Sequence, residues 1–167
     1  MRIAIVSTSD KHGGAAIAAN RLHAALLQAG QDSRMFVRTR TQFYRNIRGP
    51  YRALSLATAK ARSLGDSLPS MIYPNKKTTP FSCGFLGSPW LLQALASFNP
   101  DIVHLHWTLG GFLSLEQMLK IGRPIVWTLH DMWALTGGCH FNNDSCRRFE
   151  DNCGRCPVLG SDRSHDL

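Results

Sequence analysis

Arg2-Ile3-Ala4-Ile5-Val6 is a short run, apolar after its arginine, that gives way to a polar, glycine-bearing turn from Ser7 to Gly14. A run of that length and composition reads as a buried strand. Ala15 to Ala29 follows, rich in alanine and leucine, with Ala15, Ala18, Leu22, Ala25, Leu26 and Ala29 at the spacing of one helical face. Gly30 fits the position just past a helix end. From Arg34 to Arg38, Met35 and Val37 alternate with basic neighbours, which predicts a second strand. Strand, loop, helix and strand in that order favour an α/β fold with a parallel sheet.

The same grammar continues toward the C-terminal end. Tyr51 to Leu64 has Leu54, Ala57, Ala61 and Leu64 at helical spacing, and Ser67 to Pro80, with three prolines, reads as a loop. Pro89 to Phe98 reads as a helix with Ser88 as its cap and proline in its first turn. Residues 102–106 read as a strand. Ser114 and Gln117 have the spacing of a capping box for a helix through Lys120, and 125–129 reads as another strand. No internal repeat or low-complexity segment interrupts this order.

At 167 residues the chain is long enough for one domain with a core of its own. No apolar run approaches the roughly 20 residues that a membrane helix needs. Met1 to Val6 is too short for a signal peptide, so a cytoplasmic placement is expected. The net charge of +8 is unevenly spread. Between residues 34 and 77, Arg34, Arg38, Arg40, Arg45, Arg48, Arg52, Lys60, Arg62, Lys76 and Lys77 face a single acid, Asp66, which makes that segment +9. Such a field either attracts phosphates, anionic lipid or nucleic acid, or is a solvated face that keeps the protein soluble. The segment has aromatic residues at Phe43, Tyr44 and Tyr51 but no recognisable nucleic-acid-binding motif, and no nucleic-acid partner is expected.

In an open parallel sheet, ligands bind beyond the C-terminal strand ends. Those ends carry Ser7 to Gly14, His104-Leu105-His106-Trp107 and Leu129-His130-Asp131. Gly13-Gly14 allows close backbone approach at a helix N-terminus, where a tight turn and a phosphate contact are equally served. His104 and His106 share one strand face, an arrangement of metal ligands or, more commonly, of satisfied edge histidines. His130 closes an apolar strand next to an acid. It is placed to bond a sugar hydroxyl, to act as an acid or base, or to cap the strand.

Cys139, Cys146, Cys153 and Cys156 form a C-x6-C-x6-C-x2-C cluster, while Cys83 stands apart as a buried small hydrophobe. A cytosol-type chain argues against a disulfide framework. The Cys153-Gly154-Arg155-Cys156-Pro157 end suits a structural zinc, with reduced packing thiols or labile disulfides as alternatives. Four thiolates would leave no open position for catalysis by that metal.

Residues 99–107, the string Pro124-Ile125-Val126-Trp127-Thr128-Leu129-His130-Asp131-Met132-Trp133 continuing to His140, and Cys153 to Pro157 together resemble the N-terminal domain of bacterial family 4 glycosyltransferases, in the branch that builds surface polysaccharides. Gly13-Gly14-Ala15 fits that family's first loop. The resemblance implies a Rossmann-like sheet forming the N-terminal, acceptor-side half of a two-domain GT-B enzyme. Residues 1–167 then read as a single, truncated domain with a basic insertion at 40–80 and a cysteine-rich loop at 137–158.

The implied reaction is retaining transfer of a hexosyl group from a nucleotide-sugar to a polysaccharide or lipid-linked acceptor, without a catalytic metal. His130 carries over as the active-site histidine. Gly13, Gly14, His106 and Asp131 carry over as donor-phosphate and substrate contacts, with no distinct role for Asp131. Most of the donor site belongs to a C-terminal domain, so residues 1–167 alone are expected to be inactive. Peripheral contact with the inner face of the membrane is expected from the basic segment. The rival reading is a non-catalytic, zinc-stapled basic module that binds anionic lipid or nucleic acid.

Overall fold

The computed structural model describes residues 1–50, 53–141 and 146–166, and only the backbone of 53–55. Its strands are β1 (Arg2–Ser9), β2 (Asp32–Thr39), β3 (Ile47–Arg48), β4 (Ile102–Leu105) and β5 (Ile125–Trp127). Its helices are α1 (Gly14–Gln28), α2 (Ala53–Met71), α3 (Pro89–Phe98) and α4 (Leu115–Leu119). The strands form one parallel sheet in the order β3-β2-β1-β4-β5. This is the Rossmann-like α/β architecture read from the sequence.

β1 is the spine. Its alternate residues go to opposite faces, as the period of a strand requires. Ile3 and Ile5 join Met35, Val37, Ile47 and Ala19 under α1, with Leu22 and Leu26 packed against them. Ala4 and Val6 join Phe36, Val103 and Leu105 on the other face, where Leu91, Leu95 and Phe98 of α3 close the layer. Burial on both faces explains why β1 reads as a continuous apolar run. The chain runs outward from β1 through β2 to β3, then returns to the far side of β1 as β4. The strand order therefore reverses between β1 and β4, which is where open α/β sheets bind ligands.

Several helix details differ from the sequence reading. α1 buries Ala16, Ala19 and His23 rather than the face that begins at Ala15. His23 stays inside because its Nδ1 pairs with Ser33 Oγ at 2.7 Å. Burial pushes its imidazole pKa down and keeps it neutral. The Ser114 capping box is present, with Ser114 Oγ accepting from the Gln117 amide at 3.2 Å. Ser88 occupies the cap position of α3 but makes no side-chain cap bond. Residue pairs 35–47 and 36–48 add β3 to the sheet edge, a strand too short to signal in the sequence.

α2 departs most. It continues to Met71, so its last turns occupy part of the expected loop, with Pro69 inside the final turn. Its predicted start at Tyr51, the charge of Arg52 and the side chain of Leu54 lie outside the described residues. Ala57, Ala61 and Leu64 do share a face, but that face is exposed. The side turned inward buries Ala59 together with two polar residues, Asp66 and Ser70. The Asp66 carboxylate accepts from the amides of Phe85 at 2.8 Å, Leu86 at 2.9 Å and Gly84 at 3.4 Å. Those bonds decide the rotation of the helix, because an unanswered buried amide costs more than an exposed leucine.

Asp66→Ala is expected to lower the unfolding free energy by about 3 kcal/mol, since it strands buried amides. Asp66→Asn, which keeps one acceptor oxygen, should cost less. Denaturant titration of both variants measures this, and equal stability of Asp66→Ala and the native chain would remove Asp66 as the docking point of α2.

Candidate functional site

The C-terminal ends of β1, β4 and β5 lie side by side, and the registers fix their order. Val6 pairs with Leu105, and Leu105 pairs with Trp127. Beyond them the ladder continues, with the Thr8 amide donating to the Trp107 carbonyl at 2.9 Å and the Thr128 amide to Leu105 at 2.9 Å. Three histidines therefore come to one edge. His104 stacks on His106 with ring centroids 4.7 Å apart, and His106 stacks on His130 at 5.2 Å. His106 Nδ1 lies 2.9 Å from His130 Nε2, and His104 Nε2 lies 2.7 Å from Thr128 Oγ1.

The row is graded from inside to outside. His106 is only 4% exposed, whereas His130 is exposed to solvent. Burial, reinforced by the neighbouring charges of His104 and His130, pushes the His106 pKa down to about 4. Burial first, then His130, lowers His104 as well. His106 is thus neutral near pH 7 and serves as a fixed hydrogen-bonding partner for the outer ring. Its Nε2 is buried without a partner, as is Thr108 Oγ1. Both residues line a small cavity together with Trp127, His130 and Asp131.

Asp131 proves to be the knot of the site, a role its sequence context does not announce. Its Oδ2 accepts from Trp107 Nε1 at 2.8 Å and lies 2.6 Å from His140 Nδ1. Its Oδ1 accepts from the Trp133 amide at 3.0 Å. Burial alone would raise its pKa, but the bonds from His140, the Trp133 amide and Trp107 outweigh burial and hold the carboxyl below its usual range. The far side of His140 is held in turn, with its Nε2 2.9 Å from Ser82 Oγ. The Trp133 indole donates to the Ser82 carbonyl at 2.8 Å. Residues 80–83 and 138–140 are laced together by an antiparallel bridge between Phe81 and Cys139. Gly138 is required there, because a Cβ would come within 2.4 Å of the Phe81 ring.

Beside the histidine row lies a cleft of about 380 Å³ lined by Ser82, Leu115, Trp127, Trp133 and Thr136, among others. Its indoles meet at a tilt, with centroids 6.2 Å apart. Gly13 and Gly14 sit at the neighbouring strand end, at the start of α1. Gly13 has φ +92°, and a Cβ on either glycine would meet nothing within 4 Å. The first turn of α1 is thus open to solvent, with no acid in it and no side-chain cap bond.

The cysteines converge but do not close into a cage. Cys139, Cys146, Cys153 and Cys156 line one pocket of about 30 Å³. The hydrogen bond with Cys139 lowers the Cys156 pKa to about 6, against the opposing effect of burial. The same bond, with burial and the other three sulfurs, raises that of Cys139. Among the described residues, no three His, Cys, Asp or Glu side chains gather in a group that could hold a metal ion. Residues 142–145, inside the expected cysteine-rich loop, lie outside the described residues. Cys83 is buried as expected, and burial foremost raises its thiol pKa.

Of the residues named from the sequence, the structure brings His106 and His130 together and sets the four clustered cysteines around one pocket. Sequence reasoning missed Ser82, Thr128 and His140 as partners, and the anchoring role of Asp131. Ser82 is 58 positions from His140, and no local pattern announces such a contact.

The family model described as Glycosyltransferase Family 4 matches residues 12–155. The chain is also similar to a protein of Escherichia coli (strain K12) named "Putative colanic acid biosynthesis glycosyl transferase WcaC". The two are 31% identical over 84 residues, which covers 41% of this chain and 20% of that relative. The chain thus spans about a fifth of the length of the curated relative it matches. No solved structure matches it.

The depressed pKa of His106 has a stability consequence. In the unfolded chain the imidazole takes its proton near pH 6.5, and in the folded chain only near pH 4. Between those values the unfolded state binds more protons, so stability falls as pH drops through that window. His106→Gln is expected to make the decline shallower, as measured by denaturant unfolding at stepped pH. An identical slope in both proteins would show that His106 does not carry it.

Proposed function

Because the chain belongs to Glycosyltransferase Family 4, we propose that it takes part in moving a hexosyl group, with retention, from a nucleotide-sugar to a glycan or lipid-linked acceptor. The observation that carries this reading is the exposed His130 held by a buried, neutral His106 at the reversal point of the sheet. The family match favours this reading over a non-catalytic basic module. In it, residues 1–167 supply the acceptor-side wall of the active cleft and no catalytic metal is needed. A cytoplasmic setting goes with it, where thiols stay reduced. Among the described residues, no helix is long and apolar enough to cross a membrane.

The residues take the following parts. His106 fixes the ring of His130 through the 2.9 Å contact between their nitrogens. An unpartnered buried acceptor is easier to tolerate than an unpartnered buried donor. That places the proton on His106 Nδ1, donated to His130 Nε2, and leaves the bare Nε2 of His106 inside. His130 then carries its own proton on Nδ1, ready to donate to a hydroxyl of the transferred sugar. Asp131 holds Trp107 and His140 and so fixes the loop beyond β5. The open amides at Gly13 and Gly14 suit the donor phosphates, with the helix N-terminus favouring their charge. The cleft between Trp127 and Trp133 has a volume suited to an acceptor sugar ring.

In the full enzyme, His130→Ala is expected to lower turnover by about 10²-fold or more, as the loss of a positioned proton donor does. Because the ring is exposed, thermal stability should change little. Full turnover in a soundly folded His130→Ala enzyme would reduce the histidine to a strand cap.

The thiol cluster completes the reading as a structural zinc site formed by Cys139, Cys146, Cys153 and Cys156. The donor set fits. The four line one pocket, Cys156 is already shifted toward the thiolate that zinc requires, and Gly154 in the C-x2-C turn leaves room for the Ser164 carbonyl, which a Cβ would meet at 1.9 Å. When bound, the ion would fix the loop that carries His140. Elemental analysis of protein purified without chelator should find about one zinc per chain. Absence of zinc, with all four thiols reacting freely, would reject the site.

A further inference from the structure

Two polar atoms at the inner end of the histidine row are left over by the protein's own hydrogen bonds. His106 Nε2 and Thr108 Oγ1 are buried, and neither has a partner among the described residues. His106 is 4% exposed and Thr108 1%, so bulk solvent does not answer them either. Such groups are rare in folded proteins, because each gives up the hydrogen bonds that water made with it in the unfolded chain. His106 and Thr108 also line one cavity, together with Trp127, His130, Asp131 and Trp133. Its volume is about 10 Å³, the space that the centre of a single water molecule needs. Cavities with apolar walls stay dry, but two orphaned polar atoms and a carboxylate make this one a site for water.

The supply of protons sets the direction of the bonds. A threonine hydroxyl carries one proton and a water carries two. With the His106 proton on Nδ1, every donor is answered. The hydroxyl donates to the water, and the water donates to His106 Nε2 and to Asp131 Oδ1. That oxygen accepts from the Trp133 amide and has a second lone pair. With the His106 proton on Nε2 instead, ring and hydroxyl would both donate to the water, and one water proton would have no acceptor.

We propose that this cavity binds one water, which bridges Thr108 Oγ1, His106 Nε2 and Asp131 Oδ1 and makes Thr108 a positioning residue for His130. The line of donors runs from the Thr108 hydroxyl through the water to His106, then across the 2.9 Å contact to His130 Nε2. The proton of His130 is thereby kept on Nδ1. Thr108 lies just beyond β4 and is buried, so it meets no ligand itself and acts through the water and the inner ring. It deepens the transferase reading, which gives the His130 proton its task, but bound water and ring protonation are measured without turnover. Failure of the bridge is therefore distinct from failure of that reading, which the turnover of His130→Ala decides.

A crystal structure of the full chain that shows ordered water, and side-chain nitrogen NMR of histidine-labelled protein, test it. Density for one water is expected within about 2.7–3.2 Å of His106 Nε2 and Thr108 Oγ1. In the spectra His106 should carry its proton on Nδ1, with Nε2 bare and accepting. Thr108→Val keeps the shape of the side chain and removes its hydroxyl. It should lose the water and move the His106 Nε2 resonance toward that of an imidazole nitrogen with no partner. Thr108→Ser, which restores the hydroxyl, should recover both. A role for Thr108 in packing alone would leave the nitrogen resonances of Thr108→Val native. The bridge is overturned if no density appears in the cavity, if His106 carries its proton on Nε2, or if Thr108→Val keeps the water or the native resonances. It is equally overturned if Thr108→Ser behaves as Thr108→Val does.

Discussion

β1 is paired on both sides and buried on both faces, and its direction fixes everything placed at the sheet edge. Because β2, β4 and β5 all run parallel to it, every loop that follows a strand emerges at the same end. The reversal of strand order beside β1 then opens that end between the first loop and the end of β4. The histidines, the glycine turn and the aromatic cleft are neighbours for this reason. They come from three separate stretches of sequence, around residues 13, 106 and 130, and side-chain bonds such as that between His106 and His130 only tighten what the sheet brings together. The sheet does so through backbone ladders that involve every strand.

On that edge, order passes outward from buried to exposed groups. His106 is locked inside and cannot readily charge, so it holds His130 without competing for its proton. Asp131 gathers two indoles or their backbone and one imidazole around a single carboxylate. His140 passes the constraint on to Ser82, from a segment that precedes α3. A site built this way has one exposed ring supported by several buried ones. Its exposed member is free to meet a ligand while its geometry is set elsewhere.

The sequence made the sheet legible because β1, β2 and β4 carry buried runs that lead into polar ends, and such patterns are local; β5 reads as apolar too, yet Ile125 and Val126 are exposed at the sheet edge. The Ser114 capping box was legible for the same reason. The rotation of α2 was not. Its apolar spacing suggests a packing face, yet Asp66 turns inward to answer the amides of Gly84, Phe85 and Leu86. α1 turned similarly, where His23 found Ser33. His130 was legible as a strand-end histidine next to an acid. The meaning of Asp131 depended on Trp107 and His140, whose positions are set by the folded sheet and loop. Four clustered cysteines announce a shared site, but their spacing does not dictate how the sulfurs approach one another.

The central place of β1 also governs how the chain can fold as it is made. One edge of β1 meets β2 within forty residues, but the other waits for β4, and the Arg2 amide finds Asp101 across 99 positions. At about 5–20 residues per second of synthesis, that second edge stays open for roughly 5–20 s after β1 leaves the ribosome. During that interval a strand rich in isoleucine and valine presents unpaired amides and carbonyls, the kind of surface that recruits chaperones or other nascent chains. The spine of the finished domain is therefore the most vulnerable segment of the unfinished one.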